Sequence, residues 1–372
     1  MGLLKIGKKD KRIVSVDIGS TYLKMVLLSK KKDKVIIDNF FIKKIPDNIY
    51  KDGVIEDIND IVESIEEGIK HLKCQKEDCI VSINSNLMIE KKIEVLTNYV
   101  GMELDDQVHI EAEEFVPYYN ETEVNIDYID LGVNKNNGNL KDILVIAVKK
   151  MLVENIIEVV ESAGLNCAIV DIECFAYARY LNRKITQGEE HLNNEINAIV
   201  DIGSGSISLN VYEGDNFYTM KDQRYSTDIF NLIKNYISED ENIPLETINF
   251  NKIYDFLQNK DIWGEVIEER IENESNLISH NVSRLISYYD THFPNKKIKN
   301  LFITGGLSLI PDILNNIQHK VDAIDNIDMM NINGFNVTLS NKIDNDYFER
   351  LTPILSKAIN LSLRILDEEE SV

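Results

Sequence analysis

Positive charge, paired cysteines and long apolar runs are all scarce in this chain of 372 residues. Lys and Arg number 40 against 63 Asp and Glu, a formal net charge of −23 at pH 7. That balance repels phosphate backbones and anionic lipid, and so excludes a broad nucleic-acid or membrane-surface role. The two dense basic groups, Lys8, Lys9, Lys11 and Arg12 and then Lys30, Lys31, Lys32 and Lys34 at a hairpin tip, read as solvated loops. Cys74, Cys79, Cys167 and Cys174 form no CxxC pair and have no histidine cluster beside them, which leaves neither a zinc site nor a disulfide framework. Reduced, mostly buried thiols are the default. His71, His109, His191, His280, His292 and His319 are scattered singly, so no histidine-based nucleophile or metal set follows. No stretch approaches the roughly 18 apolar residues of a membrane span, and Lys5 and Lys8 interrupt the opening residues too early for a signal-peptide core. The expectation is a cytoplasmic protein, with Leu3, Leu4 and Ile6 a frayed terminus rather than a membrane contact.

At 44% hydrophobic content, a chain of this length buries more than one core, and roughly two to four compact units are expected. An internal repeat organises them. Val14-Ser-Val-Asp-Ile-Gly-Ser-Thr-Tyr-Leu-Lys-Met-Val-Leu-Leu28 has a counterpart in Ile199-Val-Asp-Ile-Gly-Ser-Gly-Ser-Ile-Ser-Leu-Asn-Val-Tyr212, and Val-Asp-Ile-Gly-Ser is identical in both. Each copy reads as a buried strand, a tight turn and a second, alternating strand, and each opens one lobe. Gly19 and Gly203 permit backbone conformations that side chains forbid and let successive N–H groups face an anion. Ser20 and Thr21 in the first copy, and Ser204, Gly205 and Ser206 in the second, complete phosphate-binding turns of hydroxyls and exposed backbone. Asp17 and Asp201 stand where each could hold a hydrated Mg²⁺ beside those phosphates, and Lys24 reaches across as a point charge. The plainer reading of either copy alone is a hairpin turn. A third element, Leu301-Phe-Ile-Thr-Gly-Gly-Leu-Ser-Leu-Ile-Pro-Asp312, reads as strand, Gly305-Gly306 turn and a helix beginning near Pro311.

In this order the three elements resemble the phosphate-1, phosphate-2 and adenosine motifs of the actin-like ATPase superfamily. The resemblance implies ATP between two lobes of an α/β, ribonuclease H-like fold. The middle of the chain narrows it. Gln107–Pro117 reads as an amphipathic helix, Val124–Leu131 as an alternating strand, Asn134–Asn139 as a polar turn, Ile143–Val148 as a strand, Leu152–Ala163 as a helix closed by Gly164, and Asn166–Val170 as a strand. These blocks, EAEEFVPY, EVNIDYIDLG, ILVIAVKKMLVENIIEVVESAGL and VDIECFAYARYL, are similar to those of the PilM family of type IV pilus assembly proteins, which resembles the division protein FtsA in carrying a subdomain 1C. Sugar kinases and Hsp70 proteins lack that segment. The division that follows is 1–86 for subdomain 1A, 87–164 for 1C, 165–190 for the rest of 1A, 191–229 for 2A, 230–299 for 2B and 300–372 for the rest of 2A. Gln187–Asn197 serves as the linker between lobes, Trp263–Phe293 reads as one long helix ended by Pro294, and Leu351–Leu366 as the closing helix before the acidic Asp367–Val372.

The resemblance further implies a component of the inner-membrane platform of pilus assembly, peripheral to the cytoplasmic membrane. It would dock the short cytoplasmic N-terminal peptide of the membrane protein PilN in a groove between 1A and 1C whose residues the sequence does not number. Two departures bear on turnover. The Gly-Gly pair usual in the superfamily after the second phosphate turn is replaced by Lys221-Asp-Gln-Arg-Tyr-Ser-Thr-Asp-Ile229. Glu173 matches the place of a water-positioning carboxylate, but it equally suits a helix N-terminus. The expectation is at most a slow ATPase. An active ATPase or sugar kinase, which lacks a candidate catalytic aspartate here, and an FtsA-like filament former, whose membrane helix the acidic end does not match, are the alternatives. Glu111, Glu113 and Glu114 read as a solvated helix face.

Overall fold

The computed structural model describes residues 11–364, apart from 32–33, 47–48, 52, 118, 120–122, 215, 223–224, 322 and 334. Leu3, Leu4, Ile6, Lys8, Lys9, Lys32 and the acidic Asp367–Val372 lie outside the described residues. Strand β1 (Lys11–Ile18) is apolar at consecutive positions and buried from Val14 to Val16 on both faces, as a central strand must be. It turns into β2 (Tyr22–Lys31), and β3 (Lys34–Lys44) follows antiparallel. The short pair β4 (Tyr50–Lys51) and β5 (Val54–Ile55) leads to α1 (Ile58–Leu72), which Asp57 caps by accepting from the Asn59 N–H. Ile61, Ile65, Ile69 and Leu72 recur at helical spacing and bury one face of α1 against the sheet. β6 (Asp78–Ile83) returns parallel to β1.

A smaller three-stranded antiparallel sheet comes next, built from β7 (Met88–Leu96), β8 (Val124–Val133) and β9 (Leu140–Lys149) in the order β7-β9-β8, with α2 (Met102–Phe115) on one face. The period of two along β9 sets its packing. Ile143, Val145 and Ala147 meet Leu104, Val108 and Ala112 of α2, while Leu144, Ile146 and Val148 point the other way, toward the first lobe. α3 (Lys150–Ser162) then leaves this sheet. Its Leu152, Ile156, Val159 and Val160 join the core of the first lobe, so the small unit ends near Lys149 rather than at Gly164. β10 (Asn166–Ile172) pairs parallel with β6 and runs into α4 (Glu173–Thr186).

The second lobe repeats the opening. β11 (Ile196–Ile202), β12 (Ile207–Glu213) and β13 (Asn216–Asp222) form an antiparallel meander. α5 (Ile229–Glu241), α6 (Phe250–Gln258) and α7 (Glu265–His292) make the helical layer, the last being the long helix expected from Trp263–Phe293. β14 (Ile298–Thr304) pairs parallel with β11, and α8 (Ile313–Lys320) and β15 (Asn326–Met329) complete a sheet of order β13-β12-β11-β14-β15.

The end of the chain departs from the division expected above. β16 (Val337–Leu339) pairs with β3 and completes a first sheet of order β10-β6-β1-β2-β3-β16. α9 (Asn345–Ser362) packs on β1, β2 and α4 as well as on β14. From Leu351 to Leu363 every residue of it is buried, because both lobes cover it. Its polar side chains turn back on the helix: Thr352 donates to the Phe348 carbonyl, Ser356 to that of Pro353 and Asn360 to that of Ser356. Phe348 is only 1% exposed and packs edge-on against Phe40 of β3, with ring centroids 5.6 Å apart. Phe348→Ala is expected to cost about 3–5 kcal/mol of unfolding free energy, read from urea denaturation. A loss under about 1 kcal/mol would mean that α9 is not anchored on the first sheet.

Candidate functional site

Both repeated turns close by the same bond. The Gly19 N–H donates to the Tyr22 carbonyl at 3.1 Å and the Gly203 N–H to the Ser206 carbonyl at 3.0 Å. Neither Gly19 nor Gly203 has a left-handed backbone, contrary to the expectation from sequence; their surroundings are crowded instead, and a Cβ at Gly203 would lie 3.2 Å from the Ser206 carbonyl. A Cβ at Gly19 would lie 3.0 Å from the Tyr22 carbonyl and 3.3 Å from Lys24 Nζ, and one at Gly205 would lie 2.9 Å from Ser20. The turns touch across the lobes through hydroxyls, with Ser20 Oγ 3.2 Å from Ser204 Oγ and Thr21 also bonded to Ser204. Beside them lies a cavity of about 650 Å³ lined by Asp17, Gly19, Ser20, Thr21, Lys24, Glu173, Asp201, Gly203, Ser204, Gly205, Ser206, Gly305 and Gly306. Every candidate site residue read from the sequence is therefore gathered in one place.

The third motif is held by α9. The Thr304 hydroxyl and the Gly305 N–H both donate to the Pro353 carbonyl, at 2.5 and 3.2 Å. Gly305 has φ +97°, and a Cβ there would fall 2.4 Å from Asp201 Oδ1, so no other residue fits. At Gly306 an added Cβ would make ordinary contacts with Ile354 and Phe230, which form an apolar wall of the cavity.

The charges of the cleft follow from strand register. Lys24 stands opposite Asp17 on β2, and its Nζ is 2.5 Å from Asp17 Oδ2. At the same register in the second copy, Ser208 stands opposite Asp201. Asp201 instead accepts from the Tyr177 hydroxyl at 2.6 Å. A residue that the sequence reading passed over completes the set. Lys357 of α9 places its Nζ 2.7 Å from Glu173 Oε1, 2.9 Å from Asp17 Oδ1 and 3.9 Å from Asp201 Oδ2. Burial alone would raise the Asp17 carboxyl, but the Lys24 and Lys357 ammoniums hold it below the usual carboxylate range. Burial pushes the pKa of Lys221, a further cavity residue that the sequence reading named only in the segment lacking a Gly-Gly pair, down from its ordinary value. Lys357 carried a legible signal as the one charged residue in the run Leu351–Leu363, since lysine is rarely buried unpaired. Lys221 lies at the end of an ordinary strand and carried none.

Glu173 is the first residue of α4, so it occupies the helix N-terminus, and its carboxylate is engaged by Lys357. Both Asp17 oxygens meet ammoniums and Asp201 Oδ2 accepts from a tyrosine, so Asp17 offers no free oxygen for a directly held Mg²⁺ at about 2.0–2.1 Å, and the hydrated ion expected from the sequence would have to share these carboxylates with Lys24 and Lys357. Among the described residues no group of three or more His, Cys, Asp or Glu is disposed to hold a metal ion. Glu113 and Glu114 are exposed on α2 and Glu111 accepts from Gln107, which agrees with a solvated face. Cys74, Cys79, Cys167 and Cys174 are free thiols.

A second and larger cavity, about 1390 Å³, contains none of the motif residues. It is a groove bordered by the small sheet, by the first lobe and by Asn197, Tyr212 and Phe217 of the second lobe. Asn125, Asp127, Ile129 and Leu131 of β8 and Leu144, Ile146 and Val148 of β9 line one side, and Ile172, Phe175, Ala178 and Arg179 the other. Among the described residues β8 pairs only with β9, so it is an edge strand.

A family model described as type IV pilus assembly protein PilM matches residues 15–366. Among solved structures, the chain is similar to a PilM-PilN type IV pilus biogenesis complex, at 17% identity over 95% of this chain and 98% of that one, with a TM-score of 0.69. It is also similar to the ethanolamine utilization protein EutJ from Carboxydothermus hydrogenoformans, at 14% identity over 95% and 89% of the two chains, with a TM-score of 0.49.

The Asp17 pair has a pH signature. A carboxyl held below its unfolded value adds stability above that value and loses it as pH falls through the folded one. In Lys24→Met burial is less opposed, so stability is expected to drop by about 3 kcal/mol at pH 7 and acid unfolding to begin at higher pH than in the parent. Superimposable profiles of unfolding midpoint against pH would rule this out.

Proposed function

The chain belongs to the type IV pilus assembly protein PilM family, with an actin-like ATPase fold, and we propose that its cleft binds ATP as a conformational support for docking a PilN-like partner. The partner's short cytoplasmic N-terminal peptide would lie along β8, in the groove between the small sheet and the first lobe. An unpaired edge strand supplies main-chain donors and acceptors, and the apolar face of β9 supplies pockets for alternate side chains.

The observation that carries this reading is the course of α4. Glu173 at its first turn lines the cleft, Tyr177 donates to Asp201, and Phe175, Ala178 and Arg179 line the groove. One rigid helix thus touches both sites, and a ligand that fixes its start biases the surface that its side presents. Gly19, Ser20, Thr21, Gly203, Ser204, Gly205 and Ser206 are assigned to the phosphates, Lys24 and Lys221 to their charge, and Gly305, Gly306, Phe230 and Ile354 to the nucleoside. Glu173 is assigned to positioning rather than fast turnover, because its carboxylate is already engaged by Lys357. Among the described residues no helix is long and apolar enough to cross a membrane. The protein would therefore reach the cytoplasmic face of the inner membrane through its partner.

The test is calorimetric titration of the full chain with the partner's cytoplasmic N-terminal peptide, with and without ATP. ATP is expected to raise peptide affinity by at least about fivefold. Ile129→Lys, which places a charge in the groove at a residue 41% exposed, is expected to weaken peptide binding by about tenfold or more. Absence of peptide binding in both conditions would sink the assignment, and equal affinities would remove the role given to ATP.

A further inference from the structure

The two hairpins of the cleft are not equivalent in charge. The first carries its own counter-ion, because Lys24 is in cross-strand register with Asp17, while the second carries Ser208 in that register. The missing charge comes from elsewhere in the fold. α9 fixes its Pro353 carbonyl to Thr304 and Gly305 of the third motif, and Lys357, one turn further on the same face, is thereby aimed between the two hairpins. Its ammonium meets Asp17 at 2.9 Å and Glu173 at 2.7 Å, with Asp201 at 3.9 Å. Three carboxylates from both lobes thus converge on a single cation, and that cation is covalently part of the chain.

We propose that Lys357 is a tethered cation that takes the place of a divalent metal ion, so that the cleft binds a nucleoside triphosphate without one. The proposal rests on the nucleotide reading above and deepens it. A metal ion at this position would have to displace the ammonium from two carboxylates, and the side chain, only 11% exposed, is enclosed by packing. Lys24 and Lys221 line the same cavity, so three lysines stand beside its three acids. Burial would favour the neutral amine, but Asp17, Glu173 and Asp201 outweigh it and hold Lys357 well above the ordinary lysine value. The charge is present at any physiological pH.

The experiment uses the full chain and its Lys357→Met and Glu173→Gln/Lys357→Met variants, the second losing one acid together with the ammonium so that folding is not put at risk by an unpaired buried charge. Binding of N-methylanthraniloyl-ATP is measured in EDTA and in Mg²⁺, and uptake of Mn²⁺ alone by electron paramagnetic resonance. Parent affinity is expected to agree between the two buffers within about twofold, and both variants to bind about tenfold more weakly in EDTA and to recover in Mg²⁺. Lys357→Met is also expected to take up a Mn²⁺ that the parent does not. A parent affinity that falls tenfold or more in EDTA overturns the tethered cation while leaving the nucleotide reading intact. If the parent binds no nucleotide in either buffer, the nucleotide reading and the metal-free binding drawn from it both fail. The Mn²⁺ measurement then decides the cation itself: uptake by the parent overturns it, and uptake by Lys357→Met alone supports it.

Discussion

Like charges brought together at the ends of two sheets are the constraint on which this structure turns. Asp17 closes β1 and Asp201 closes β11, and both strands are central in their sheets, so the packing of the lobes delivers two carboxylates to one cleft. Glu173 arrives as a third from the start of α4. Such a group is stable only when cations are delivered with it. Lys24 comes with the first hairpin, and Lys357 must come from α9. That need accounts for the path of the chain's end. After β15 the chain crosses to the edge of the first sheet as β16, and α9 then passes between the lobes, covered on all sides from Leu351 to Leu363.

The same geometry links the cleft to the larger groove beside the small sheet. α4 begins among the charged groups and continues along the groove, while β9 turns one apolar face to α2 and the other to that groove. A small sheet whose central strand is apolar on both faces cannot stand alone in water. One face is satisfied by its own helix and the other by the first lobe and by whatever lies along β8. In this account nucleotide and peptide act on one element from two directions, and the cleft serves to hold a conformation rather than to drive chemistry.

Much of the cleft was legible in the residue order because its parts are local. Asp-Ile-Gly-Ser sits on a strand-turn-strand unit whose hydrogen bonds close within a few residues, and duplication makes it visible. The long helix α7 and the alternation of β8 were legible for the same reason. What was not legible depends on contacts distant in sequence. Lys357 stands out as the lone charge in Leu351–Leu363, but its partners Asp17 and Glu173 are distant in sequence and only the assembled fold names them. Both lobes bury α9, whose polar Thr352, Ser356 and Asn360 bond back to the helix instead of facing solvent, so periodicity does not say which lobe it joins. β16 is three residues long and is defined by its partner β3, not by its own sequence. The end of the small subdomain was misread because α3 follows β9 without a break, and only its packing assigns it to the first lobe.

The most direct measurement is a crystal structure of the full chain grown with ATP and Mn²⁺, with anomalous diffraction used to locate manganese. The account predicts triphosphate density between the turns at Gly19 and Gly203, Lys357 still bonded to Asp17 and Glu173, and no anomalous peak among Asp17, Glu173 and Asp201. A manganese peak at that position with the Lys357 side chain displaced would contradict it.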